Sequence, residues 1–157
     1  SFFNNGDSTI NLAGKTPLTL AIISGNDLLF RILDNKNELD LNKPNRDGSL
    51  PIFYSLKSPS MNHDIFLSGS FNANVTDLNG ETVLMKLLKS EDLHSCWLYL
   101  KRDDIDLMKV DNRGNSVRSI LDKKGVDTSE LGKNPTNEEL LAFVRKYVDG
   151  NEFHRFL

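Results

Sequence analysis

Gly14-Lys15-Thr16-Pro17-Leu18-Thr19-Leu20-Ala21-Ile22-Ile23-Ser24-Gly25-Asn26 is the stretch whose reading decides the fold. Gly14 closes an Asx-x-x-Gly block, Asn11-Leu12-Ala13-Gly14. Asn bonds its own backbone two residues on, and Gly takes positive φ freely, so the block reads as a tight turn. Thr16 is placed to cap a helix, and Pro17 stands at the first helical turn, where a missing N–H is tolerated. A short apolar helix follows, and Gly25 separates it from a second.

The same punctuation recurs outward from this stretch. Asn45-Arg46-Asp47-Gly48, Asp77-Leu78-Asn79-Gly80 and Asp111-Asn112-Arg113-Gly114 repeat the block. The four glycines, 14, 48, 80 and 114, fall 34, 32 and 34 residues apart. Thr82 and Ser116 match Thr16 as caps, and Pro51 matches Pro17. Leu28, Leu29, Ile32 and Leu33 form one face of a second helix, and Leu93, Trp97, Leu98 and Leu100 form a similar face after the third turn. Extended stretches lead to the next turns: Leu39 to Asn42, Phe71 to Asn74 and Ile105 to Met108. A generic helical bundle with coincidental turns is the plainer alternative, and the shared period argues against it. A helix pair cannot bury its apolar face alone, so such units gain their core from their neighbours.

This order resembles the ankyrin repeat. Gly14 to Asn26 is similar to that family's Gly-x-Thr-Pro-Leu-His-x-Ala-x-x-x-Gly-His signature, with Thr19 in place of the usual His. The resemblance covers about residues 10–125. It implies an all-α ankyrin-repeat solenoid of about four partly degenerate repeats, at about 10–43, 44–76, 77–110 and 111–125 onward. Residues 1–9 are expected to end a preceding segment or repeat. The second unit departs most: Leu50 replaces the Thr, and Ser58-Pro59-Ser60 breaks the chain where the helix-joining Gly should be. In the fourth, Arg118 stands where the family has Leu, which puts the inward face of that helix in question.

Residues 126–157 read as a C-terminal capping region with a helix at about 137–149. Thr136 and Glu139 make a capping box, and Leu140, Leu141, Val144 and Val148 make the apolar stripe, with Phe143 and Tyr147 alongside. Gly150 is expected to stop it. The chain starts at Ser1 and reads as a segment of a longer one.

Composition narrows the function. With 38% hydrophobic and 26% charged residues the chain has a soluble globular balance. A net charge of −3 argues against DNA binding. One cysteine, Cys96, excludes a disulfide framework and suggests a buried small hydrophobe in an intracellular protein, cytoplasmic or nuclear. His63, His94 and His154 are too scattered for a metal pair, and no phosphate loop, nucleophile elbow or kinase signature occurs. Asp103-Asp104-Ile105-Asp106 lacks the glycine and distal glutamate of a calcium loop. Asn74-Val75-Thr76 has the form of a glycosylation acceptor and Ser58-Pro59 that of a phosphorylation site; a chance triplet and a chain break are the plainer readings. No catalytic residue, cofactor, metal or small-molecule substrate is expected.

In ankyrin-like stacks, turn tips and first-helix ends form the concave face. The resemblance therefore implies a partner-binding surface of Lys15, Ile23, Arg46, Asp47, Lys57, Leu78, Asn79, Lys89, Asn112, Arg113, Lys123 and Lys124. Lys57, Lys89 and Lys123 repeat with the turns and are expected to align as a basic row that favours an acidic protein segment. Lysines also simply keep helix ends soluble. The expected function is a non-enzymatic protein-interaction module. The alternatives are a tether to anionic lipid and a spacer with decayed repeats.

Overall fold

Caps and turn residues set where the helices begin. Thr16 Oγ1 accepts from the Thr19 amide at 3.1 Å, Thr82 Oγ1 from the Met85 amide at 3.2 Å, and Ser116 Oγ from the Ser119 amide at 3.1 Å. Each bond satisfies one of the amides that a helix start leaves without an intrahelical partner. The computed structural model describes residues 14–26, 28, 41–56, 66 and 72–154. Among them the fold is mostly helical, with six α-helices and no strands. An isolated antiparallel bridge joins Thr76 and Thr82. The chain divides into two compact units, Ser1–Asn72 and Ala73–Leu157.

In the first unit, α1 (Pro17–Ile23) packs on α2 (Pro51–Ser55). Leu18, Ala21 and Ile22 of α1 are buried, as is Ile52 of α2. Thr19 is buried too, and its hydroxyl lies 2.9 Å from that of Thr16. A buried hydroxyl without a partner would cost stability, and this pairing removes the cost. The α2 helix has five residues, and Leu50 at its start offers no side-chain cap. The second helix expected over Leu28–Leu33 and the break at Ser58-Pro59-Ser60 lie outside the described residues, except Leu28, which is exposed.

The second unit contains α3 (Val83–Ser90), α4 (Leu93–Tyr99), α5 (Val117–Lys123) and α6 (Asn137–His154). The α3 helix packs on both α4 and α5 and buries Val83, Leu84, Met85, Leu87 and Leu88. A helix with neighbours on both sides keeps only a narrow solvent face, here at Lys86, Lys89 and Ser90, which explains the apolar run around them. Each such side chain contributes about 1.5–3 kcal/mol when fully buried.

Three expectations are corrected here. First, α6 does not stop at Gly150 but continues to His154. Glycine within a helix costs about 1 kcal/mol relative to alanine, and that alone does not end it; Asn151 Nδ2 donates to the Tyr147 carbonyl at 2.8 Å across that turn. Second, Arg118 does not leave α5 without an inward face. Val117, Ile120 and Leu121 supply it, while Arg118 donates to the carbonyls of Gly132 and Thr128 and ties down the short 3-10 turn at Ser129–Leu131. Third, Trp97 is not part of the buried face of α4. That face is Ser95, Cys96, Leu98 and Tyr99, and Trp97 is 36% exposed.

The capping box at α6 forms as expected. The Glu139 amide donates to Thr136 Oγ1 at 3.1 Å, and the Thr136 amide to Glu139 Oε1 at 3.3 Å. Leu140, Leu141, Val144 and Val148 are its buried stripe, against α4. Cys96 is fully buried, and burial pushes its thiol pKa up, away from thiolate reactivity.

Candidate functional site

The turns are built by one hydrogen-bond pattern. The glycine amide donates to the Asx carbonyl at 3.0 Å in Gly48–Asn45, Gly80–Asp77 and Gly114–Asp111. The Asx amide donates to the residue after the glycine, Ser49, Glu81 or Asn115, at 2.8 to 2.9 Å. Gly80 has φ +76°, and a Cβ there would lie 2.7 Å from Asn112 Oδ1 and 3.0 Å from the Asn112 amide nitrogen. Backbone sign and the closeness of the following turn therefore both demand glycine.

Within each unit, successive turns are also bonded. The Arg46 amide donates to Gly14 O at 2.8 Å, and the Asn112 amide to Asn79 O at 2.9 Å. The extended stretches carry a second recurring bond. Asn42 Oδ1 accepts from the Asn72 amide at 2.9 Å, and Asn74 Oδ1 accepts from the Asp106 amide at 2.7 Å. Asn42 and Asn74 each stand six residues before their turn glycine, so the register is the same. Asn74 Nδ2 donates to Asp104 O at 2.9 Å, so the nitrogen that a glycan would occupy already holds the fold. Asn137 at the start of α6 makes the same pair of bonds to the stretch that Asn74 clamps: its Oδ1 accepts from the Leu107 amide at 2.6 Å and its Nδ2 donates to Ile105 O at 2.9 Å.

The expected partner-binding residues fall into three groups. Arg46, Asp47, Leu78, Asn79, Asn112 and Arg113 are exposed at turn tips, with Leu78 at 73%. Asn112 Nδ2 donates to Leu78 O at 3.2 Å, so two tips of the second unit are held together. Ile23, Lys89 and Lys123 stand at first-helix ends and are exposed. Lys57 lies outside the described residues. Lys15 and Lys124 are half-buried.

Charge is more balanced than the lysine spacing suggests. Lys89 reaches back eight residues to Glu81 Oε2 at 2.8 Å, and Lys123 reaches back eight to Asn115 Oδ1 at 2.6 Å. The two lysines thus occupy equivalent places, but Lys89 meets a carboxylate and Lys123 an amide. Lys124 pairs with Glu91 at 3.0 Å and Lys86 with Asp77 at 2.8 Å. Lys15 Nζ lies 5.1 Å from the centroid of the Tyr54 ring. Asp47 is held below the usual carboxylate range by the Ser49 hydroxyl and amide.

Burial pushes the Asp77 carboxyl up, but the Lys86 ammonium and the Glu81 and Asn79 amides outweigh it, so the group titrates below its ordinary range. Asp111 is lowered by the Asn115 amide, then by the Asn115 side chain, the Arg113 amide and Lys89, against burial. These carboxylates are structural pins.

Outside the predicted set, Met108 and Val110 are exposed apolar residues before the fourth turn, at 53% and 58%. Trp97 is the other residue that sequence reasoning placed wrongly. The spacing of Cys96, Tyr99 and Leu100 at i, i+3 and i+4 is the signal that would have turned it outward. Among the described residues no group of three or more His, Cys, Asp or Glu is arranged to hold a metal, and no helix is long and apolar enough to cross a membrane. Comparison with protein-family models, with curated proteins and with solved structures gives no match.

Proposed function

We propose that the chain is a non-catalytic, ankyrin-type repeat module that binds a segment of another protein over its turn tips and first-helix ends. One observation carries the reading: the same turn bonds recur at Asn45, Asp77 and Asp111, and the same asparagine clamp recurs at Asn42 and Asn74 in equal register. Recurring contacts at the sequence period are what nearest-neighbour repeat packing requires. Turns pinned this firmly present side chains at little entropic cost, which favours binding. The intracellular, cytoplasmic or nuclear, setting expected of such a module belongs to the same proposal.

The partner segment is taken to meet both charge and apolar surface. Lys123 and Arg113 offer positive charge to an acidic segment. Leu78 offers an apolar anchor. With Lys89 and Lys124 facing carboxylates, the basic row is a weaker attractor for an acidic peptide, or for anionic lipid, than its spacing alone suggests.

The test is affinity capture from lysate with the chain and with a Leu78→Asp, Arg113→Glu variant, read by quantitative mass spectrometry. The expected result is a protein enriched by the parent chain and reduced at least tenfold by the variant, with unchanged circular dichroism. Identical captured sets for both chains would remove the turn tips from the binding surface.

A further inference from the structure

We propose that the cleft between α4 and α6 is a second docking site, which takes a carboxylate carried beside an apolar side chain on a segment of a partner protein. The cleft has a volume of about 370 Å³, within the range of about 300–1,000 Å³ usual for ligand clefts. Its apolar wall is Trp97, Leu100 and Val148. Leu100 and Val148 are buried, so the exposed indole is what a docking side chain would cover. Large amphipathic aromatics of this kind are the usual anchors of interfaces.

Two cations stand on the same cleft. Lys101 is exposed, and its Nζ sits 4.0 Å from the Trp97 ring centroid, which holds its charge over the indole. Arg145 is fixed from α6: Nε donates to Leu100 O at 2.8 Å, and Nη2 donates to Arg102 O at 3.0 Å and Asp103 Oδ1 at 3.2 Å. Two of these acceptors are neutral carbonyls. Asp103, the charged one, has a side chain 93% exposed and is screened by solvent. No described residue accepts from Arg145 Nη1. A guanidinium already immobilised by the backbone, with its Nη1 donors left over, is prepared to donate from that nitrogen to a carboxylate oxygen.

The acidic residues decide between kinds of anion. Asp103 and Asp149 also line the cleft, so two cations face two carboxylates. A surface without net positive field does not suit a multiply charged phosphate or an anionic membrane. One carboxylate, accepting from Arg145 Nη1 and the Lys101 ammonium beside an apolar group on the indole, does suit it. The site is built from elements other than the turns, and it stands independently of the turn-tip reading.

Trp97 is the sole tryptophan of the chain, so tryptophan emission, excited selectively over the three tyrosines, reports on this residue alone. The probe is an N-acetylated, C-amidated hexapeptide with one glutamate beside leucine and phenylalanine in an otherwise uncharged sequence, compared with the same peptide carrying glutamine. The expected result is a saturable change in Trp97 emission with the glutamate peptide and at least tenfold weaker binding of the glutamine peptide. Lys101→Gln, which removes no bond to the backbone, is expected to weaken the glutamate peptide about tenfold and to leave the circular dichroism spectrum unchanged. Arg145→Lys keeps the charge, loses the placed Nη1 donor and is expected to weaken it further, with circular dichroism checking the fold. The proposal is overturned if emission shows no saturable change up to about 1 mM peptide, if both peptides bind equally, or if Lys101→Gln has no effect. It is also overturned if 3-phenylpropionate binds as tightly as the peptide, since the cleft would then serve a small molecule.

Discussion

The two units solve the same turn with different chemistry. In the first, Asn45 is the pin: its Oδ1 accepts from the Thr16 amide at 2.9 Å, and its Nδ2 donates to Ser49 O and Oγ at 3.1 Å. One neutral amide thus ties its own turn to the start of α1. In the second unit Asp77 and Asp111 are the pins. Their carboxylates only accept, each from two amides of its own turn, and each has a lysine nearby, Lys86 at 2.8 Å and Lys89 at 3.9 Å. The lesson is that Asn and Asp are exchangeable for the turn's geometry but not for its electrostatics. The asparagine version spans two blocks and carries no charge. The aspartate version is stronger locally and responds to protons.

The sharpest way to break the comparison is at the glycines of the second unit. Gly80→Ala places a Cβ 3.0 Å from the Asn112 amide nitrogen and forces alanine to φ +76°. Left-handed strain of about 1–2 kcal/mol and overpacking of about 1–3 kcal/mol add up to a loss of about 2–5 kcal/mol. Gly114, at φ +82°, has nothing within 4 Å of its Cβ position among the described residues. Gly114→Ala is therefore expected to cost only the strain, about 1–2 kcal/mol. Urea unfolding followed by Trp97 emission would measure both, and equal losses would mean that the approach of the next turn is unimportant.

Acid is the next test. Asp77 and Asp111 titrate below their ordinary range in the folded chain, so their contribution is fully present above the unfolded-state value, about 3.9. It is lost as pH falls through the lower folded values. Asp104, lowered by its hydrogen bond to Arg102, and Asp127, lowered by the Ser129 amide, act in the same direction. The second unit is expected to lose stability steadily below about pH 4. The double change Asp77→Asn, Asp111→Asn is expected to lower stability at neutral pH and flatten this acid slope. Trp97 emission against pH would show it, and an unchanged slope would assign the acid response to the other carboxylates.

The smallest expected effect sharpens the contrast at helix starts. Leu50 already has cap-compatible backbone angles, φ −100° and ψ 144°, but no side-chain oxygen. Leu50→Thr gives α2 the cap that α1, α3 and α5 possess and is expected to add about 0.5–1 kcal/mol. Thermal unfolding by circular dichroism should rise by a few degrees; a fall would mean that the Leu50 side chain packs better than it caps.

The local signals in the chain were the readable ones. Gly14, Gly48, Gly80 and Gly114 all take positive φ, and Thr16, Thr82, Ser116 and Thr136 all cap, because these choices depend on residues a few positions apart. The stripe of α6 was equally legible, since its period repeats over several turns. The end of that helix was not, because one glycine shifts a balance of about 1 kcal/mol that neighbouring bonds can reverse.

The candidate surface was legible in position and less so in charge. That Leu78, Asn112 and Arg113 would project followed from the turn residues alone. That Lys89 and Lys124 would meet Glu81 and Glu91 did not: the first pair is eight residues apart and the second thirty-three. The sequence by itself determined the turns, the caps and the period of this protein, which are local backbone preferences. Only the tertiary structure decided which face of α4 is buried, which lysines meet a carboxylate, and that Trp97 and Arg145 share a cleft. Those outcomes depend on what packs against each helix from far along the chain, and desolvation and ion pairing are properties of that neighbourhood, not of the residue.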